Sequence, residues 1–128
     1  MKSKICTSIG QSQKLIELGV DVNTADMYWW YSGKRYYIES MDDDDFNEEE
    51  GHVRAWSLTA LIKLMPFHII ENNRFGFYQV KGFNKQGETY RFGYKTNNDS
   101  FLFETSWHND IVDAAFEIVC WLKENEKI

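Results

Sequence analysis

ETYRFGYK, residues 88–95, carries the clearest structural signal in the chain. Tyr90, Phe92 and Tyr94 alternate with charged or smaller residues, and this period of two is typical of a β-strand with one buried face and one wet face. A second β-prone run at 75–82 precedes it, across a short turn that contains glycine. The pattern therefore predicts a β-hairpin that contributes its aromatic face to the core.

Further strands are predicted on both sides of this hairpin. Met27–Tyr31 and Arg35–Glu39 are aromatic runs joined by a glycine-containing turn, which indicates another hairpin. A strand is also expected at 67–71, and a short optional one at 101–103.

Three helices are predicted from apolar stripes and caps. The first lies within Thr7–Gly19, with Ser8 and Gln11 as a capping box. The second covers Leu58–Met65, between a Ser57 cap and Pro66, and the third covers about Ile111–Asn125. The expected fold class is α+β: an antiparallel sheet of about five strands packed against about three helices, in the order α-β-β-α-β-β-β-(β)-α. We expect residues 1–128 to form a single domain.

The composition fits a chain with an ordinary core. Hydrophobic residues make up 43% of the 128 residues and aromatic residues 16%, which is ample material for burial without disulfides or structural metals. Cys6 and Cys120 are expected to be reduced, buried thiols. No signal peptide or membrane span is recognisable, so a cytoplasmic location without membrane contact is expected.

The net charge of −6 comes from one stretch of the chain. The acidic segment, residues 42–50, holds seven of the 20 acidic side chains, which leaves 13 against 14 basic ones elsewhere. These seven are Asp42, Asp43, Asp44, Asp45, Glu48, Glu49 and Glu50. Like charges at this density predict a solvated loop at about 41–52. Its function is either solubility alone or attraction of a basic protein surface.

A calcium site in the acidic segment is disfavoured. Asp43, Asp45 and Asn47 have the first three ligand spacings of an EF-hand, but Glu48 stands where glycine is required and Arg54 where a bidentate glutamate is needed. The histidines are scattered and do not form a recognisable ligand motif. We therefore predict no metal and no cofactor.

Basic residues are concentrated near the hairpin at 75–95. Arg74, Lys81, Arg91 and Lys95 are interleaved with aromatic residues, a composition that can bind single-stranded nucleic acid. The strand period nevertheless places Arg91 and Lys95 on the face opposite Tyr90, Phe92 and Tyr94. A stacking platform needs both residue types on one exposed face, so nucleic-acid binding is the alternative hypothesis.

No sequence motif names a reaction. Neither a nucleophile elbow, nor a glycine-rich phosphate loop, nor a metalloprotease helix motif is present. A small enzyme would need a site assembled in space from dispersed side chains, and the candidates are His52, His68, His108, Glu17, Glu39, Glu104 and Glu117. No catalytic residue is predicted.

Three stretches carry a resemblance to a known group of proteins: residues 6–27, Ala55–Pro66 and Asp113–Asn125. Together they resemble short bacterial proteins without an assigned activity, many of them encoded in prophages and other mobile elements. The resemblance implies no functional residues. The leading hypothesis is a non-enzymatic accessory protein of a phage or mobile element that acts by binding another protein.

Overall fold

The computed structural model of the protein describes residues 3–41 and 45–128. The helices in those residues are α1 (Ile9–Glu17), α2 (Leu58–Lys63) and α3 (Ile111–Glu124). The strands are β1 (Met27–Tyr31), β2 (Tyr36–Ser40), β3 (Val53–Ala55), β4 (His68–Ile70), β5 (Arg74–Asn84), β6 (Gly87–Lys95) and β7 (Phe101–Glu104). The α+β class and the three helices are confirmed.

The strands form two antiparallel sheets, so the prediction of one sheet of about five strands is wrong. The first sheet has the order β2-β1-β3 and the second the order β4-β5-β6-β7. β3, which was not predicted, pairs with β1. The chain then turns at once into α2, which is capped by Ser57, and the second sheet starts only after that helix.

The predicted starts of the helices are confirmed by their capping groups, whereas α2 ends at Lys63, two residues before the predicted Met65. The Ser8 hydroxyl accepts a hydrogen bond from the Gln11 backbone N–H, and the Gln11 side chain accepts one from the Ser8 N–H, which completes a capping box. Gly19 follows α1 with φ of 91°, a left-handed conformation that glycine adopts without a Cβ clash. Asp110 caps α3 through the Val112 N–H and also accepts a hydrogen bond from the Lys4 N–H.

The helices share one hydrophobic core with the inner face of the second sheet. α3 packs against β6 and against α2. Leu15 of α1, Leu61 of α2 and Ile118 of α3 are fully buried together with Phe92 and Tyr94 of β6. The predicted inward direction of Phe92 and Tyr94 is therefore confirmed. Tyr90 is only half-buried, and its hydroxyl donates to the Glu88 carboxylate.

The opposite face of β6 is not simply wet, which corrects the expectation from the period of two. Thr89 is only 4% exposed and Gly93 is buried. Gly93 lies beneath the ring of Tyr78, the residue directly across from it on β5. Trp107 lies over Gly82 in the same way. We call this side of the second sheet the outer face.

The two cysteines are free and buried, as predicted. Burial raises the pKa of the Cys6 thiol to about 11, with a smaller contribution from the Asp26 carboxylate. Burial also raises the pKa of Cys120 to about 11, and the charge of Glu124 adds to the effect. Since the thiolate is the nucleophile, both thiols are unreactive near neutral pH.

This predicts slow thiol modification in the folded protein. In a titration with a chromogenic disulfide reagent at pH 7.5, both thiols should react only at the rate of unfolding and then promptly in denaturant. A free cysteine placed on the exposed residue Lys34 gives the control rate for an accessible thiol. Equal rates for the native thiols and this control would contradict the assignment.

No helix among residues 3–41 and 45–128 has both the length and the apolar character needed to cross a membrane.

Candidate functional site

The acidic segment was the main candidate site from sequence, and its second half is structurally defined. Asp42, Asp43 and Asp44 lie outside the described residues. Asp45, Glu48, Glu49 and Glu50 are all exposed, and the three glutamates form a single 3-10 turn.

Phe46 attaches this half of the segment to the first sheet. Its ring makes an edge-on contact with Tyr28, with 5.6 Å between the ring centroids. On its other side the Arg54 guanidinium lies 4.4 Å from the ring centroid. Sequence analysis did not single out Phe46, although it is the one apolar residue among residues 42–50 and that isolation could have indicated an anchor.

Asn47 and His52 hold the turn that displays the glutamates. The Asn47 side chain accepts a hydrogen bond from the Glu49 N–H at 2.9 Å, and the Asn47 N–H donates to His52 Nδ1 at 3.0 Å. Because Nδ1 is the acceptor, the neutral ring carries its proton on Nε2. Gly51 completes the turn with φ of 83°. The imidazole also stacks on Tyr28, with 5.3 Å between centroids.

A cleft of about 440 Å³ opens beside this turn. Gln13 and Ile16 of α1 form one wall, and Tyr36 of β2 and Glu48 of the acidic segment lie on the other sides. Ile16 and Tyr36 are 39% and 45% exposed. Arg54 also lines the cleft, and one of its Nη atoms lies 3.4 Å from the Val22 carbonyl oxygen as a weak donor. The cleft thus combines apolar and aromatic walls with one carboxylate, that of Glu48.

The four described carboxylates of the acidic segment, those of Asp45, Glu48, Glu49 and Glu50, form no ion pair with a lysine or arginine of the described residues. In that part of the chain the ion pairs of these cations are Lys4–Asp113, Lys81–Glu88, Arg91–Glu104, Lys95–Asp99 and Lys127–Glu71. Only Glu50 approaches a base, the His52 ring at 3.7 Å. This turn is therefore a dense group of exposed carboxylates without a lysine or arginine partner in the described residues.

The four basic candidates have the opposite character, because three of them are paired with carboxylates. Lys81 Nζ lies 3.1 Å from Glu88, Arg91 lies 3.1 Å from Glu104, and Lys95 lies 2.6 Å from Asp99. Arg74 contacts the His68 ring at 3.1 Å. Lys81 lies on the inner face of the second sheet, because it is directly opposite Tyr90 of β6. The other three lie on the outer face. The four do not form one free cationic surface.

Aromatic residues nevertheless join the basic residues on the outer face, which the sequence argument did not foresee. The Arg91 guanidinium lies 4.6 Å from the Trp107 ring centroid, and Lys95 Nζ lies 5.2 Å from the Tyr78 ring. The Tyr78 hydroxyl donates to Glu104. Burial, together with this hydrogen bond, raises the pKa of Tyr78, so the phenol stays protonated at neutral pH.

Of the seven dispersed acids and histidines, the structure brings only His108 and Glu117 together. His108 Nε2 and Glu117 Oε1 are 2.6 Å apart, and the Ser106 N–H donates to both Glu117 oxygens at 3.2 Å. His52 and His68 have other partners. Among the described residues, no group of three or more histidine, cysteine, aspartate or glutamate side chains has the arrangement to hold a metal ion.

Comparison with protein-family models, curated proteins and solved structures found no match to this chain. The resemblance to short proteins of mobile elements therefore stays a prediction.

Proposed function

We propose that this protein binds a basic protein surface through the exposed carboxylates of the acidic segment and the adjacent cleft. The observation that carries the proposal is the density of exposed carboxylates in one short turn. Asp45, Glu48 and Glu49 lie within five residues of one another and form no ion pair in the described residues, whereas the other exposed, unpaired carboxylates, such as Glu17 and Glu124, are far apart in the sequence. A concentrated, unneutralised field of one sign speeds encounter with a partner of the opposite sign.

The cleft supplies the contact that charge alone does not. Ile16 and Tyr36 offer apolar and aromatic area beside Glu48. Lysine and arginine side chains combine an apolar stem with a charged head, so they match such a rim. The Arg54 guanidinium disfavours a cation deep in the cleft. The basic heads of the partner are therefore expected to lie over the glutamate turn.

The anchoring of the turn favours binding over solubility alone. Phe46, Asn47 and His52 hold the backbone of the glutamate turn against the first sheet. A preformed array of charges loses less conformational entropy on binding than a freely moving loop does. The wider proposal of an accessory protein of a phage or mobile element has the sequence resemblance as its support.

The test replaces charge without removing the turn. A variant carrying Asp45→Asn, Glu48→Gln, Glu49→Gln and Glu50→Gln keeps Phe46 and Asn47, which a deletion would remove. A matched control carries Glu17→Gln, Glu39→Gln, Glu124→Gln and Glu126→Gln, which are exposed and unpaired in the described residues. Both variants change the net charge equally.

The two variants are compared in nuclease-treated capture from bacterial lysate and in titration with a lysine- and arginine-rich peptide. We expect peptide affinity to fall about tenfold or more in the first variant and to change little in the control, with a steep salt dependence in the wild type. If both variants lost the same affinity, the effect would come from net charge alone. If the first variant bound the peptide as tightly as the wild type, the acidic segment would not be part of the binding site.

A second candidate function is binding of single-stranded nucleic acid on the outer face. It is favoured by the exposure of Trp107 and Phe101, at 43% and 53%, beside Arg91 and Lys95. The carboxylate partners of both cations oppose it, since they cancel the charge that would attract phosphate. Titration with an oligothymidylate at low salt, followed by tryptophan fluorescence, separates this candidate from the first.

A further inference from the structure

β5 has a free edge over its second half. β4 pairs only with Arg74, Phe75 and Gly76 at the start of β5, and the Phe77 N–H still donates to the Phe67 carbonyl at 2.9 Å. Beyond this point β6 is the one neighbouring strand of β5 in the described residues.

The direction of the backbone groups on this edge follows from the ladder. In an antiparallel pair, the N–H and C=O of one residue point to the same side, and the side alternates along the strand. Because the Phe77 N–H points towards β4, the backbone groups of Gln79, Lys81 and Phe83 point away from β6. No hydrogen bond from another described residue reaches these groups, and all three residues are exposed.

Two exposed apolar side chains lie along the free edge. Phe83 is 80% exposed and Val80 is 37% exposed. A lysine on an edge strand normally opposes strand pairing. Here the Lys81 ammonium is drawn back over β6 by Glu88 at 3.1 Å, so its charge is neutralised and its alkyl stem remains at the edge.

We propose that this edge pairs with the same edge of a second copy of the chain, which joins two four-stranded sheets into one eight-stranded sheet. The pairing is antiparallel about a two-fold axis, as an isologous interface requires. Lys81 and Arg91 are each paired with a carboxylate of their own copy, and the glutamate turn at Glu48–Glu50 lies beside the first sheet. These paired side chains therefore add little net charge to the interface.

The structure selects one register for this pair. An axis at Lys81 would oppose the two lysines and place residue 85 of the second copy beside Phe77, where Phe67 already pairs. An axis at Gly82 avoids both problems. Lys81 then faces Phe83 of the second copy, and Val80 faces Asn84. Two pairs of backbone hydrogen bonds form between Lys81 and Phe83, on either side of the axis.

The first test measures association by sedimentation equilibrium over a concentration series. Wild type should approach dimer mass as the concentration rises. Lys81→Pro removes the outward N–H, which β6 does not use, and is expected to weaken association about tenfold or more. Lys81→Ala keeps the N–H and is the matched control, with a smaller effect. Monomer mass throughout the series, or equal effects of the two variants, would overturn the proposal.

The second test fixes the register and does not depend on the proline variant folding. Val80→Cys combined with Asn84→Cys should give a disulfide-linked dimer on mild oxidation, because residues 80 and 84 of the two copies form a directly opposed pair. The single variant Val80→Cys should give little disulfide-linked dimer. The native thiols do not compete, since both are buried. Equal crosslinking of the single and double variants would show that the 80–84 pairing is wrong.

Discussion

Replacement of Trp56 by alanine is expected to lower the free energy of unfolding by about 3–5 kcal/mol, the usual range for large aromatic residues in a core. Trp56 is fully buried between β3 and α2, and its backbone and side chain both make specific contacts. The indole N–H donates to Thr24 Oγ1 at 2.9 Å, and the backbone N–H donates to Thr7 Oγ1 at 3.1 Å.

The measurement is chemical denaturation followed by circular dichroism. A loss of this size corresponds to a decrease of about 10–20 °C in Tm for a chain of this length. Trp56→Phe is the milder variant: it keeps most of the volume but leaves Thr24 without the indole donor, so its cost should be about 1–2 kcal/mol. Trp107→Ala is the exposed control of the same residue type. A cost for Trp56→Ala as small as that for Trp107→Ala would contradict the placement of the core.

The second large effect is expected at Gly93. An alanine there would place its Cβ 2.5 Å from the Tyr78 hydroxyl oxygen and 2.6 Å from the ring carbons Cε1 and Cζ. The ring does not move freely, because its hydroxyl donates to Glu104 and Lys95 lies over its face. We therefore expect Gly93→Ala to cost about 1–3 kcal/mol, as overpacking does.

A double-mutant cycle isolates the cause of this effect. In a Tyr78→Ala background the added methyl group meets no ring, so Gly93→Ala should cost less than about 0.5 kcal/mol. Gly76→Ala is the control on the neighbouring strand, since its nearest foreign atom would lie at an ordinary 3.7 Å. Additive costs in the cycle would mean that the Tyr78 ring does not cover Gly93 in solution.

Local patterns were sufficient to predict most of the individual elements. The alternation at Tyr90, Phe92 and Tyr94 predicted β6, and Ser8 with Gln11 predicted the start of α1. Each of these signals consists of residues close in sequence, and it lies within or directly beside the helix or strand that it predicts. β3 was missed because Val53–Ala55 is too short to show a period.

Sheet membership could not be predicted in the same way. Aromatic, β-prone runs such as Met27–Tyr31 show that a strand forms and do not show which strand it pairs with. The position of α2 between the two groups of strands was predicted, but whether the strands before and after a helix pair with each other is a tertiary property. One sheet was therefore expected where two exist.

The outer face illustrates the same limit for the candidate sites. Arg91 and Lys95 were correctly separated from Phe92 and Tyr94, yet Tyr78 and Trp107 reach the basic side from other elements. The position of Tyr78 depends on the register of β5 against β6, and the position of Trp107 depends on the path of the chain after β7. In the acidic segment, sequence located the charge, whereas the contacts of Phe46 and His52 with Tyr28 required coordinates.

The contact between the first residues of the fold and the start of α3 has a consequence for biosynthesis. The Lys4 N–H bonds to Asp110 and the Lys4 ammonium to Asp113, across sequence separations of 106 and 109 residues. α3 also supplies much of the core that covers β6. The emerging polypeptide therefore cannot close its core until α3 has left the ribosome, and until then the aromatic inner face of β6 is available to chaperones.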